Sequence, residues 1–332
     1  MKTRKAWLDI AKGIAMCCIV FSHTNAGTAG WYKQLYEPVF LSVFFFSSGY
    51  LFREVGIRDE LKYVLRHLVL PLITLGTINA FISLIIEHEA LIPRLRALYF
   101  QTSGTRDDMW FIACMASAHI IFWIIYRICR KNESIFTIVV VSTIVSLLGG
   151  YYGELINFAL PWKIQRAVGY ILFICLGYVY RKYEHKFNEK VSKKTVVGIA
   201  CIYFLGCFEY GGGSHFGTSI GDLTISAIGI IIIIWCSKRL CKNKYLEFIG
   251  QNTLVYYAFQ SKVIKVFEII VSKLELDTSF VLNGLIIAIF TTLLLAIPSC
   301  IFNKVFPFLL GKKDYGILKK YIPFLYCQAK KH

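Results

Sequence analysis

The chain has 332 residues, of which 56% are hydrophobic, 16% aromatic and only 17% charged, where a soluble globular domain carries roughly 25% charge. Mean hydropathy is +0.57. Apolar blocks recur along the chain, and a bilayer core about 30 Å thick takes about 20 helical residues per crossing. The composition therefore excludes a water-soluble enzyme and points to an all-α, polytopic integral membrane protein whose first partner is the lipid bilayer. The net charge of +17, from 37 Lys and Arg against 20 Asp and Glu, would suggest nucleic acid in a soluble chain. Here retention of basic residues on the cytoplasmic side accounts for it, and no nucleic-acid partner is expected.

Ten transmembrane helices are predicted in chain order, at 6–23, 38–52, 67–87, 110–128, 135–150, 166–180, 195–209, 220–237, 248–271 and 280–303. The basic runs RKYEHKFNEKVSKK (181–194) and SKRLCKNK (237–244), with the tail from Lys304 onward, fit an even number of crossings with both termini cytoplasmic. The opening stretch MKTRKAWLDIAKGIAMCCIVFSH carries Asp9 and Lys12 and lacks a small-residue cleavage site, so a retained first helix is expected rather than a signal peptide. Without an internal repeat or a long linker, residues 1–310 read as one transmembrane domain and 311–332 as a basic cytoplasmic tail. The 11 cysteines are scattered through apolar segments with no CxxC pair and read as small hydrophobes, so no metal site is expected.

An ionisable side chain at the centre of a transmembrane helix costs about 2.5–3.5 kcal/mol on insertion scales, so each needs a partner or a purpose. Asp9 and Lys12 stand i, i+3, and His23 follows Lys12 by eleven residues, about 16 Å along an unbroken helix. These three make a polar stripe on one face of the first helix. One reading is a helix-end ion pair plus an interfacial imidazole. The other makes His23 a general acid or base near neutral pH, with Lys12 supplying positive charge for an anionic group or an oxyanion. Further along, Lys265 and Glu268 form an i, i+3 pair beside Gln260 and Lys262, Asn79 reads as a helix contact, and His119 as a core histidine bonded to a neighbour. The outer stretch from Glu89 to Asp108, with Arg94, Arg96 and Arg106 ahead of Trp110, is the longest outer segment. Trp110 there offers an aromatic face. No Walker A motif, dinucleotide fingerprint or HExxH occurs.

Several of these stretches resemble the membrane-bound acyltransferase family 3, in particular its branch related to fucose 4-O-acetylases. WLDIAKGIAMCCIVFSH (7–23) is similar to that branch's Leu-Asp, Lys-Gly-Ile, apolar run and His. PVFLSVFFFSSGYLF (38–52) looks like its aromatic run ending in Ser-Gly-Tyr, RHLVLP (66–71) like its Arg followed by Pro, MWFIACM (109–115) like its Trp-Phe at a helix start, and FIGQNTLVYYAFQ (248–260) like its Gly-x-Asn-Ser-Leu pattern. Gln260 stands where that branch often has His, and Thr253 replaces Ser.

The resemblance implies transfer of an acyl group, usually acetyl from acetyl-CoA, to a hydroxyl of a surface carbohydrate or lipid-linked glycan. The location it implies is a bacterial cytoplasmic membrane. His23 matches the family's essential histidine and Lys12 its basic partner, with Asp9 beside it. Acyl-CoA would be a donor substrate and not a resident cofactor. Arg53, Arg58, Lys62 and Arg66 form a basic cluster on the inner side suited to its phosphates, and Trp110, Arg106 and Gln260 are the expected acceptor contacts. The sequence is compatible with a homo-oligomer. A transporter or flippase of a lipid-linked glycan or small substrate remains the alternative, since intramembrane Asp, Lys, His and Glu also build transport paths.

Overall fold

The computed structural model describes residues 4–28, 31–101, 109–130, 134–155, 160–190, 192–210, 219–274 and 279–312. Helices are the only regular secondary structure among them, so the protein is an all-α, polytopic membrane protein. The helices are α1 (Ala6–Ser22), α2 (Asn25–Thr28), α3 (Lys33–Phe40), α4 (Ser42–Leu51), α5 (Ile57–Val64), α6 (Leu70–Glu87), α7 (Leu91–Phe100), α8 (Trp110–Cys129) and α9 (Ile135–Leu155). They continue as α10 (Ile164–Gly169), α11 (Ile171–Lys190), α12 (Lys193–Tyr210), α13 (Ile220–Arg239), α14 (Lys244–Gln251), α15 (Thr253–Lys273), α16 (Phe280–Leu294) and α17 (Ala296–Val305). Each of the ten expected segments falls on helix. Among the described residues, four stretches are long and apolar enough to cross a bilayer on length and composition: Ile57–Glu87, Trp110–Cys129, Ile220–Arg239 and Phe280–Val305.

Local chemistry explains where helices break. Pro71 has no N–H to give the carbonyl four residues back. The chain answers with a π turn, Leu65–Val69, in which the Leu70 N–H reaches Leu65 O, so α5 runs on into α6. The expected ninth segment is two helices. Asn252 leaves helical geometry between α14 and α15, and its side-chain amide donates to Phe248 O at 2.7 Å.

Two glycine-mediated crossings hold the centre. A Cβ on Gly13 would lie 2.1 Å from Leu246 O and one on Gly250 would lie 1.7 Å from Asp9 O, so α1 and α14 touch backbone to backbone. Gly49 of α4 meets Ile174 O of α11, and Gly177 meets Phe46 O, in the same way. Close approach of this kind is how helices pack where lipid removes the hydrophobic drive between them.

The bundle has an Arg4 end and a His23 end. Arg66 donates to Gly311 O at 2.8 Å and to Lys312 O at 3.0 Å. Asn252, Asn303 and Lys312 form a hydrogen-bonded chain. Burial together with the neighbouring Arg4 charge holds the Lys312 ammonium below its ordinary pKa. The first and last described residues thus share one end. At the opposite end, the Asn25 N–H donates to Glu268 Oε1 at 2.8 Å and Gly284 packs against Ala26 and Thr24. Helices α1, α6 and α15 therefore run in one direction and α16–α17 in the other.

Candidate active site

His23 closes α1. Its ring Nδ1 lies 2.8 Å from Ile19 O, and a carbonyl can only accept, so Nδ1 carries the hydrogen and Nε2 keeps the lone pair. His23 is exposed, and no described residue bonds Nε2. The following turn is clamped from three sides, by Glu268 on Asn25, by the Tyr32 and Tyr36 hydroxyls on the carbonyls of Ala26 and Gly27, and by Gly284 against Thr24. The imidazole is thereby set on a fixed turn at the open end of the helix.

Asp9 and Lys12 pair as expected, at 2.8 Å, and Arg4 joins them with Nε 2.5 Å from the other carboxylate oxygen. Asp9 is 5% exposed and Lys12 19%. The stripe does not converge. Lys12 sits three turns, about 16 Å, from His23 along α1, with its ammonium committed to Asp9. Of the inner cations, Arg53 lies 6.0 Å over the Tyr63 ring, and Arg53, Arg58 and Lys62 are exposed. Arg66 is spent on the carbonyls of Gly311 and Lys312.

The expected acceptor residues divide as well. Arg106 lies outside the described residues. Trp110 is half-buried, with the Arg166 guanidinium 5.1 Å from its ring centre. Its neighbour Phe111 donates its N–H to the Tyr257 hydroxyl at 3.2 Å. Gln260, three residues on from Tyr257 and so on the same face of α15, is 2% exposed, and its Oε1 has no donor. Part of the expected outer stretch is not an open loop. It forms α7, which folds back along α6 so that Leu98 fills the space a Cβ on Gly76 would need.

One charge contact differs from the sequence expectation, and two more are defined by the structure. Lys265 does not pair with Glu268. Lys262 and Lys265 both bind Glu87 of α6, with Arg94 at 3.6 Å, while Glu268 is taken by Asn25. The reason is that α6 and α15 run side by side in the same direction, which brings the terminal carboxylate of α6 between the two lysines. His119 is a core histidine beside a neighbouring side chain, as expected, and that neighbour is Glu60. Its Nδ1 lies 2.5 Å from Glu60 Oε1, with both side chains at most 2% exposed and His119 Nε2 unpartnered. Glu184 gathers the Tyr50 hydroxyl at 2.6 Å, Lys238 at 3.0 Å and Lys5 at 3.6 Å.

Sequence reasoning missed Glu60, Lys163 and Arg166. For Glu60 a signal exists, because in IRDELKYV it shares a helical face with Val64 while Arg58 and Lys62 point elsewhere. For Lys163, only 5% exposed, the sequence gives no cue. A separate cavity of about 330 Å³ lies between α4, α11 and α13, bounded by Phe46, Leu176, Ile230, Trp235 and, at one end, Lys238 and Arg239. None of the nominated site residues lines it.

A family model described as "Acyltransferase domain" matches residues 5–301. The chain belongs to the membrane-bound acyltransferase family 3. The match runs from the residue before α1 into α17, nearly the whole described bundle, and the protein is a membrane acyltransferase. No curated protein and no solved structure matches the chain.

Proposed function

We propose that the protein is an O-acyltransferase of a bacterial cytoplasmic membrane, moving an acetyl group from acetyl-CoA to a hydroxyl of a surface polysaccharide or its lipid-linked precursor. The observation that carries this reading is the placement of His23, whose Nδ1 faces Ile19 O so that in the neutral ring the Nε2 lone pair is left open. An alcohol has a pKa far above neutrality, so its attack on a thioester needs such a base. His23 Nε2 takes the hydroxyl proton as the oxygen bonds to the thioester carbon. The tetrahedral oxyanion then collapses, the C–S bond breaks, and the imidazolium returns its proton to the departing thiolate. Arg53, Arg58 and Lys62 receive the phosphates of the donor. Asp9 fixes Lys12 as a positive charge within the bundle, and Trp110 and Gln260 face the acceptor.

Membranes supplied with acetyl-labelled acetyl-CoA test this, with label followed into glycan for the intact protein, His23→Ala and His23→Gln. Loss of general-base catalysis lowers transfer by about 10²–10⁴-fold. Transfer that survives in both variants refutes the assignment of His23. Absence of label from a folded protein with its native glycan present refutes the acetyl donor. Activity that persists in detergent with soluble acceptor separates transfer from transport, which needs a sealed membrane.

A further inference from the structure

We propose that Arg166 and Trp110 form a subsite for a negatively charged group, so that the acceptor is an acidic carbohydrate bearing a carboxylate or a phosphate. This rests on the acyl-transfer reading for the identity of the ligand as acceptor. The subsite is built by an unusual turn. Pro161–Lys163 forms one 3₁₀ turn in which Trp162 (φ 58°) and Lys163 (φ 52°) are consecutive non-glycine residues in the left-handed region. Such conformations cost about 1–3 kcal/mol each and persist where the surroundings hold them. Here Ser117 of α8 donates to Trp162 O at 3.0 Å.

The turn delivers two cations to α8. Lys163 is 5% exposed, and Arg166, three residues on, lies over the ring of Trp110 at the start of α8. Arg166 remains exposed, its guanidinium carbon over the indole 5.1 Å from the ring centre, and no described carboxylate is ion-paired with it. A guanidinium stacked on an aromatic face keeps its planar fork free for bidentate binding of a carboxylate or phosphate. Two buried amide oxygens nearby in the chain or the fold lack donors. Gln165 Oε1 lies between the two cations in sequence, and Gln260 Oε1 lies one turn beyond Tyr257, which holds Phe111. Acceptors without donors call for a ligand rich in hydroxyls. Anion and hydroxyls together describe an acidic sugar.

The test treats membranes carrying the full chain with phenylglyoxal and reads modification at Arg166 by peptide mass spectrometry. Methyl β-glucuronide, glucose 1-phosphate, methyl β-glucoside, acetate and inorganic phosphate are then compared at equal concentration. The proposal expects about tenfold slowing, equivalent to about 1.4 kcal/mol, by at least one of the two anionic sugars and by neither the neutral sugar nor the simple anions. The sugar that protects distinguishes carboxylate from phosphate. Equal slowing by methyl β-glucoside, slowing by the simple anions alone, protection by no sugar, or an Arg166 the reagent does not reach would each overturn it. Protection needs no turnover. A negative result here therefore leaves acyl transfer standing, and failure of the His23 experiment leaves this measurement standing.

Discussion

Replacing Gly250 with Ala puts a methyl group where α1 and α14 touch. That Cβ would lie 1.7 Å from Asp9 O and 3.0 Å from Gly13 N. Both neighbours are backbone and cannot rotate away, so the helices must part by more than an ångström. Overpacking in a tight core costs about 1–3 kcal/mol, which is roughly 5- to 150-fold in the folded-to-unfolded ratio. Because Asp9 carries Lys12 and Arg4, the displacement also reaches the polar cluster. Gly198→Ala is the matched control, since nothing lies within 4 Å of its Cβ on α12 and Ala for Gly in a helix gains about 0.5–1 kcal/mol. Thermal unfolding of both variants in one detergent measures the contrast. A Gly250→Ala protein as stable as the wild type would refute the backbone-to-backbone crossing.

The Glu60–His119 pair is buried on both sides, so Glu60→Leu or His119→Phe alone should cost about 3–5 kcal/mol, whereas the double variant should recover most of that loss. Additive losses in a double-mutant cycle would refute the coupling. Burial raises the Glu184 pKa, but the Tyr50 hydroxyl and the Lys238 ammonium outweigh it and hold the carboxyl below its ordinary value. A depressed carboxylate contributes stability above its unfolded pKa, near 4.5, and that contribution is lost as pH falls through the lower folded value. Melting followed from pH 7 into the acid range should therefore fall less steeply below pH about 4.5 in Tyr50→Phe, which removes one of the lowering donors. Lys12→Ala should raise KM for acetyl-CoA several-fold with a smaller change in kcat, and Lys12→Arg should restore it. A loss confined to kcat would place Lys12 at the reacting carbonyl instead.

The helical class and the placement of the long apolar segments were legible because apolar blocks of bilayer length have few alternatives. Of the first motif, the ion pair of Asp9 with Lys12 was legible from their spacing. The remaining motifs serve packing and positioning. Ser-Gly-Tyr supplies Gly49 to the α4–α11 crossing, Arg66 holds the chain at Gly311 and Lys312, Phe111 of the Trp-Phe pair seats on Tyr257, and Gly250 meets Asp9. What the sequence hid is tertiary. Spacing along one helix suggests Lys265 with Glu268, yet a carboxylate from α6 is closer in space. A buried lysine on a left-handed turn, as at Lys163, leaves no periodic trace at all.

Under the proposed acyl transfer, geometry bears on the two roles open to Lys12. Arg4 and Lys12 carry two positive charges against one on Asp9, so the cluster keeps a net charge of +1 at the end of the bundle where Arg66 and Lys312 lie. Under the proposed function, a donor whose phosphates rest on Arg53, Arg58 and Lys62 would enter from that same end, because Tyr50, three residues before Arg53, is bonded to Glu184 and so to Lys5 and Lys238. α1 has 17 residues and spans about 26 Å, and His23 stands at its other end. One ammonium cannot neutralise an oxyanion three turns away, and its charge is already shared with Asp9. The proposed function therefore assigns Lys12 to the entering anionic donor, and under it oxyanion stabilisation would come from groups at the depth of His23. For the thioester to arrive there, the arm of the donor must pass the α1–α14 crossing, where the two backbones leave no room between them. Under the proposed function, the passage would run along the face of α1 that carries Lys12, which at 19% exposure is more open than Asp9 at 5%.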